Sequence, residues 1–249
     1  MHWRWTISLA TSWLLLPGSA WSQPAPPALR SAVPLLCTEN RMAARTRVRG
    51  TGVIADSGGT LLTAAHVIQE ARSNCTLSVM VPDQEWSQFR QLHAFLVQDC
   101  RLHLALDLAV CRVRPAGSSR DWGYIRAASI QLRPALPGEA VRITAFTGFG
   151  LLPLVRSGHI KARQNYQRGD GCYCDFATDI AAEEGMSGSP VISAQGEVLG
   201  ILTLAGSGKF RGLSFGASFE EAAGFLKAQG VTTAPDFPRA SIPLPAKAH

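Results

Sequence analysis

Ser187 sits in Gly185-Met186-Ser187-Gly188-Ser189-Pro190, a run of small residues that leads into the apolar pair Val191-Ile192. A hydroxyl becomes a useful nucleophile when a base can reach it and backbone N–H groups converge beside it. Glycine lets the chain turn so that such N–H groups point outward rather than into a helix or ladder. Alone, the hexapeptide reads only as a turn, because Gly/Ser-rich turns are common. Its weight comes from two upstream segments, Leu61-Leu62-Thr63-Ala64-Ala65-His66-Val67 and Leu106-Asp107-Leu108-Ala109-Val110. A histidine, then an aspartate, then a serine is one of the known chain orders of a Ser-His-Asp triad.

Residues so far apart need a scaffold that returns on itself, and the intervening sequence reads as strands and turns. Residues 46–55 form a partly alternating, Gly-rich strand, Asp56-Ser57-Gly58-Gly59 is a strong turn, and 60–63 returns as the second arm of a hairpin. His66 follows directly, with a single helical turn expected over 67–71. Further strands are expected over 75–81, 91–97, 106–113, 141–146, 154–163, 190–193, 198–204 and 212–218, with Gly148, Gly150 and Pro153 breaking the series. Residues 220–227 read as the one helix, acidic at its start and carrying Lys227 near its end, with Ser218 as N-cap. Many short strands and one terminal helix indicate an all-β sandwich or barrel.

The 249 residues suffice for one large all-β domain or two small ones, and 46% hydrophobic content excludes a disordered chain. The formal charge of +6 is spread along the chain, with no basic stripe of the kind nucleic-acid binding needs. At the N-terminus a basic start, an apolar stretch over 7–16 and small residues at Ala20 and Ser22 have the layout of a secretory signal peptide over 1–22. Its apolar core is shorter than the ~20 residues of a membrane helix. No stable membrane association is expected after cleavage.

Residues 23–45 read as a Pro/Ala-rich lead-in, 46–230 as the folded domain, and 231–249 as a Pro-rich, poorly ordered tail. Six cysteines, Cys37, Cys75, Cys100, Cys111, Cys172 and Cys174, fit an oxidising compartment and allow 15 pairings, among which the sequence does not choose. A direct Cys172–Cys174 bridge would close a strained small ring, so each is expected to pair elsewhere.

The three motifs together resemble the trypsin/chymotrypsin-like serine proteases, especially their bacterial secreted and periplasmic branches. The matching residues are Leu62-Thr63-Ala64-Ala65-His66, Asp107-Leu108-Ala109-Val110 and Gly185-Met186-Ser187-Gly188-Ser189-Pro190, and the likeness runs from about Thr46 to Leu226. The resemblance implies two six-stranded antiparallel β-barrels packed face to face. His66 and Asp107 would come from the first and Ser187 from the second. It implies that Ser187 attacks the scissile carbonyl, His66 moves the proton and Asp107 orients His66. The N–H groups of Gly185 and Ser187 would form the oxyanion hole. Thr203 falls where the family has a serine supporting the aspartate, and Thr203, Leu204 and Ala205 would pair with an extended substrate. The base of the specificity pocket falls near Ala181, with Ala182 adjacent.

Asp99 and Ser189 are nearby rivals of Asp107 and Ser187, and register with the family favours the latter two. His93, His103 and His159 are read as structural or exposed. Met186 stands where animal digestive proteases carry an aspartate that pairs with a newly cut N-terminus, so that activation switch is not expected. Neither Ala181 nor Ala182 is acidic, which points to a neutral pocket for small or medium apolar side chains. Glu183 and Glu184 lie close by. The expected function is a secreted or periplasmic serine endopeptidase acting on polypeptides, without cofactor or metal. The competing readings are a catalytically silent protease-like binding module and a metal site using Cys172, Cys174 and His159. The few residues after the terminal helix lead us to expect no appended peptide-binding domain. The oligomeric state is left open.

Overall fold

The first strand, β1 (Ala32–Glu39), lies inside the stretch expected to be a lead-in without core character, and it is buried over 32–37. The Pro-rich composition hides it. Pro34 has no N–H to give, but it pairs only with Thr51, because the ladder to the neighbour on its other side begins at Leu35. The folded domain therefore starts well before residue 46. The computed structural model describes residues 30–40, 45–72, 75–115, 123, 125–148, 150–167 and 173–233. The signal-like segment, residues 23–29, Cys172 and the tail from 234 lie outside them.

Strands β2 (Thr46–Ile54) and β3 (Thr60–Ala64) form the expected hairpin. The Asp56 carboxylate accepts the Thr60 N–H at 3.1 Å, and Gly59 takes a φ of 86° at the turn. With β4 (Cys75–Pro82), β5 (Leu92–His103) and β6 (Leu108–Pro115) they close an antiparallel barrel in the order β1-β2-β3-β6-β5-β4. Strand β5 runs well past the expected 91–97. Disulfides Cys37–Cys75 and Cys100–Cys111 staple β1 to β4 and β5 to β6. Four of the six cysteines are thereby used; the expectation that Cys172 pairs elsewhere than with Cys174 falls outside the described residues.

After a short strand β7 (Ser129–Ile130), the second barrel is made of β8 (Ala140–Ala145), β9 (Leu154–Gln167), β10 (Tyr173–Thr178), β11 (Pro190–Ser193), β12 (Glu197–Ala205) and β13 (Ser214–Ser218). Its order is β11-β8-β9-β10-β13-β12, closed by the β11–β12 pairing, with β7 lying parallel to the start of β12. The chain is thus all-β with two six-stranded antiparallel barrels, as the resemblance implied. The unbroken apolar run of β12 has a cause: Leu199 and Leu202 fill the second barrel, while Val198 and Ile201 join the core shared with the first.

The helices differ from expectation. The turn after His66 is a full helix, α1 (Ala65–Arg72), which includes His66 itself. The terminal helix α2 (Ala223–Ala228) begins later than expected, with Ala222 and not Ser218 at its N-cap. The Ser218 hydroxyl instead accepts the Glu221 N–H at 3.3 Å in the turn before it. Glu220 forms an ion pair with Arg163 of β9, a tertiary contact that draws the acidic pair out of the helix. Among the described residues, no helix is long and apolar enough to cross a membrane.

Candidate active site

Asp107 is built into the site by its backbone. A 3₁₀ turn, Leu104–Leu106, ends with Asp107 in the left-handed region at φ 51°, a conformation that aspartate tolerates. The turn is itself fixed by His103, whose Nδ1 accepts the Leu106 N–H at 3.2 Å. Asp107 then serves the open N-terminus of α1, where backbone N–H groups have no partner within the helix. Its carbonyl accepts the Ala65 N–H at 2.9 Å and its Oδ1 accepts the His66 N–H at 2.8 Å.

The second carboxylate oxygen, Oδ2, lies 2.6 Å from His66 Nδ1. Asp107 is 2% exposed, so this carboxylate is held away from water with the His66 backbone N–H and ring against it. A carboxylate can only accept, so a neutral His66 ring carries its proton on Nδ1 and offers the lone pair of Nε2. Nε2 faces Ser187 Oγ at 3.0 Å. The three side chains named from sequence form one hydrogen-bonded line across the two barrels. Their rivals are placed elsewhere. Asp99 is exposed and paired with Arg114 at 3.1 Å, and Ser189 is wholly buried.

The loop around Ser187 depends on glycine at two points. Gly185 has φ 93°, and a Cβ there would press on Phe146 and Thr147. Gly188 has φ 83°, and a Cβ would collide with the Thr51 carbonyl and the Thr63 hydroxyl. Among the described residues, no acceptor takes the N–H of Gly185 or of Ser187, whereas those of Met186, Gly188 and Ser189 are all bonded within the protein. Met186 is 1% exposed, and its Sδ lies 3.3 Å from the Glu183 N–H. This residue is packed into the second barrel and carries no ion pair.

A cavity of about 360 Å³ opens beside Ser187, and Ala182, Glu183, Glu184, Met186, Leu202, Thr203, Leu204 and Ala205 contribute to its wall. Ala182, not Ala181, lines it. Ala181 is exposed, with its carbonyl accepting from Arg156 at 2.6 Å, because Arg156 also ion-pairs with Glu183 and pulls this segment outward. Glu70, at the far rim, is paired with Arg49 at 3.2 Å. Thr203 is the extra residue of a bulge, since Leu202 pairs with Gly216 and Leu204 with Phe215. Its hydroxyl lies 3.2 Å from the Cys174 sulfur. His159, proposed with the cysteines for a metal, is exposed beside Asp179, and no group of metal-binding residues occurs among the described residues.

Two closed barrels with a serine–histidine–aspartate line at their junction define the chymotrypsin-like fold. Residues 50–201 match the trypsin-like peptidase domain, and the chain belongs to that family. It is 28% identical over 184 residues to the magnetosome formation protease MamE of Magnetospirillum gryphiswaldense and 29% identical over 181 residues to that of Paramagnetospirillum magneticum. These matches cover 70% and 71% of this chain but only 21% and 23% of the relatives, so it spans about a fifth of their length. The HtrA-type protease AlgW, solved with a tripeptide, shares the fold with a TM-score of 0.61 at 22% identity, covering 82% of this chain and 62% of that one. The MamO protease domain from Magnetospirillum magneticum has a TM-score of 0.61 at 17% identity, covering 80% and 97%.

Proposed function

We propose that this protein is an exported serine endopeptidase, working in the periplasm or outside the cell through Ser187, His66 and Asp107. The observation that carries the reading is the continuous Asp107–His66–Ser187 line, with Nε2 left as acceptor at 3.0 Å from the hydroxyl. Ser187 Oγ attacks the substrate carbonyl as its proton passes to Nε2, giving a tetrahedral oxyanion that the Gly185 and Ser187 N–H groups receive. Collapse expels the amine, which takes the proton from His66, and leaves an acyl-enzyme. Water, activated by the same histidine, hydrolyses it.

The outer edge of Thr203, Leu204 and Ala205 offers backbone groups to an extended peptide, since β11 pairs no further along β12 than Ile201. Arg156 pairs with Glu183 while Glu184 stays on the wall, so the reading of a pocket for small or medium apolar side chains rests on Ala182, Met186 and Leu202. No N-terminal cut is needed for activity. A new terminus near Val53 would strip β1 and most of β2 from the first barrel. The two disulfides and the signal-like segment support export to an oxidising compartment, and the protease relatives support the reaction class.

A fluorophosphonate probe tests the reading on the folded, disulfide-intact protein. The wild type is labelled, while Ser187→Ala and His66→Ala are not. Absence of labelling in the folded wild type overturns it in favour of a silent binding module. Dominant cleavage after Arg or Lys in a peptide library overturns the pocket assignment alone.

A further inference from the structure

Thr51 lies in β2, in the first barrel, yet most of its polar atoms serve the nucleophile loop of the second. It is fully buried. Its Oγ1 accepts the Phe146 N–H at 2.8 Å, which commits the hydroxyl proton outward, and that proton goes to the Gly185 carbonyl at 3.0 Å. The Thr51 N–H donates to the Ser187 carbonyl at 2.8 Å, and its own carbonyl accepts the Thr63 hydroxyl at 2.8 Å. One residue therefore grips the loop on both sides of the nucleophile.

The consequence follows plane by plane. The peptide joining Gly185 to Met186 is bonded at both ends, its carbonyl to Thr51 and its N–H to the Glu183 carbonyl at 3.1 Å. The peptide joining Ser187 to Gly188 is likewise bonded, its carbonyl to Thr51 and its N–H to the Leu202 carbonyl at 2.7 Å. Between and beside these planes stand the N–H groups of Gly185 and Ser187, which have no acceptor among the described residues. Glycine at 185 is free to rotate unless something holds its carbonyl. Met186 has no charge with which to do so.

We infer that the Thr51 hydroxyl is the positioning group of the oxyanion loop: by holding the Gly185 carbonyl it keeps the Gly185 and Ser187 N–H groups fixed for the developing oxyanion. It fills, from the neighbouring barrel, the role that an ion pair at position 186 would otherwise fill. The inference rests on the endopeptidase reading, because it concerns the transition state of that reaction. Thr51 touches no substrate, so its loss acts on kcat and leaves substrate binding alone.

The test compares Thr51→Val, which keeps the shape and removes the hydroxyl, with Thr51→Ser, which restores it. On a peptide ester with a small apolar residue at the cleaved position, Thr51→Val loses about 30-fold in kcat with KM changed less than about twofold, somewhat less than the 10²–10³ of deleting an oxyanion donor outright. Thr51→Ser recovers most of that loss. Equal kcat in wild type and Thr51→Val, at a temperature where thermal melting shows both folded, overturns the inference, as does a Thr51→Ser variant no better than Thr51→Val. A crystal structure of Thr51→Val reads the same point without chemistry. A Gly185 carbonyl still directed at β2 overturns the inference, and one that has swung away supports it. That readout holds even if the wild type fails to react with the fluorophosphonate, in which case the endopeptidase reading alone has failed.

Discussion

Asp107→Asn preserves the volume of the site and the backbone, since asparagine also tolerates the left-handed conformation found at φ 51°. It changes one acceptor oxygen into a donor amide. In the native protein both oxygens are engaged, Oδ1 by the His66 N–H at 2.8 Å and Oδ2 by the His66 ring at 2.6 Å. The backbone N–H is a fixed donor at the start of α1, so the single remaining oxygen must stay with it. The amide NH₂ is then forced against Nδ1, which can only accept. The imidazole proton moves to Nε2, facing Ser187, and the base is lost while the hydrogen bonds are nearly all kept. A wrong tautomer of this kind costs about 10⁴-fold in kcat, or about 5.5 kcal/mol of barrier. Ester hydrolysis and the rate of fluorophosphonate inactivation measure it, beside thermal melting to confirm the fold. An Asp107→Asn variant within about tenfold of wild type would refute the tautomer argument.

Gly188→Ala should lower stability by about 2–4 kcal/mol, from left-handed strain plus the clash with the Thr51 carbonyl and the Thr63 hydroxyl, and urea titration reads this directly. Replacing Cys37 and Cys75 by alanine opens a loop of separation 38 and should cost about 4 kcal/mol, against about 3 for Cys100 and Cys111 at separation 11. A larger loss from the second pair would show that chain entropy is not what these bridges supply. Asp179 is held below the usual carboxylate value, chiefly by the His159 N–H it accepts at 2.6 Å. A lowered folded value stabilises above the unfolded pKa, and the contribution is lost as pH falls through the folded one. The stability gap between wild type and Asp179→Asn should therefore be open at about pH 7 and narrow below about pH 4 in urea titrations.

The Asp107–His66–Ser187 line was legible because each of these side chains stands in a local sequence that also shapes its turn. The hairpin before His66, the Gly-rich loop around Ser187 and the αL-tolerant Asp107 all carry local signals. Features decided by distant partners were not legible. The Thr51 hydroxyl joins groups 95 and 134 residues away, and a threonine between two glycines in a strand looks ordinary. Strand β1 is stabilised by β2 and β4 and by a disulfide to Cys75, none of which its Pro/Ala-rich surroundings announce. Ala181 and Ala182 are indistinguishable by type, and only the folded chain separates them, with the Ala181 carbonyl meeting Arg156 of another strand and Ala182 lining the cavity. The start of α2 shifted for the same reason, since Arg163 outbids the helix dipole for Glu220.

A site divided between two barrels needs more than adhesion. Apolar contact holds the barrels together, with Phe146, Ile192 and Ile201 of the second joined to the core of the first. Such contact is non-directional and tolerates sliding. The His66–Ser187 bond at 3.0 Å does not, because a hydrogen bond weakens steeply once distance or angle departs from its narrow range. Directional bonds must set the register, and the seam supplies them where it matters, through the backbone and hydroxyl of Thr51 to the carbonyls flanking Ser187. Buried polar groups in a seam are costly unless every one is paired. That cost makes them selective: a displaced second barrel would leave the Gly185 and Ser187 carbonyls and the Phe146 N–H unpaired together. Alignment of His66 with Ser187 and the satisfaction of buried hydrogen bonds are thus the same geometric condition in this protein.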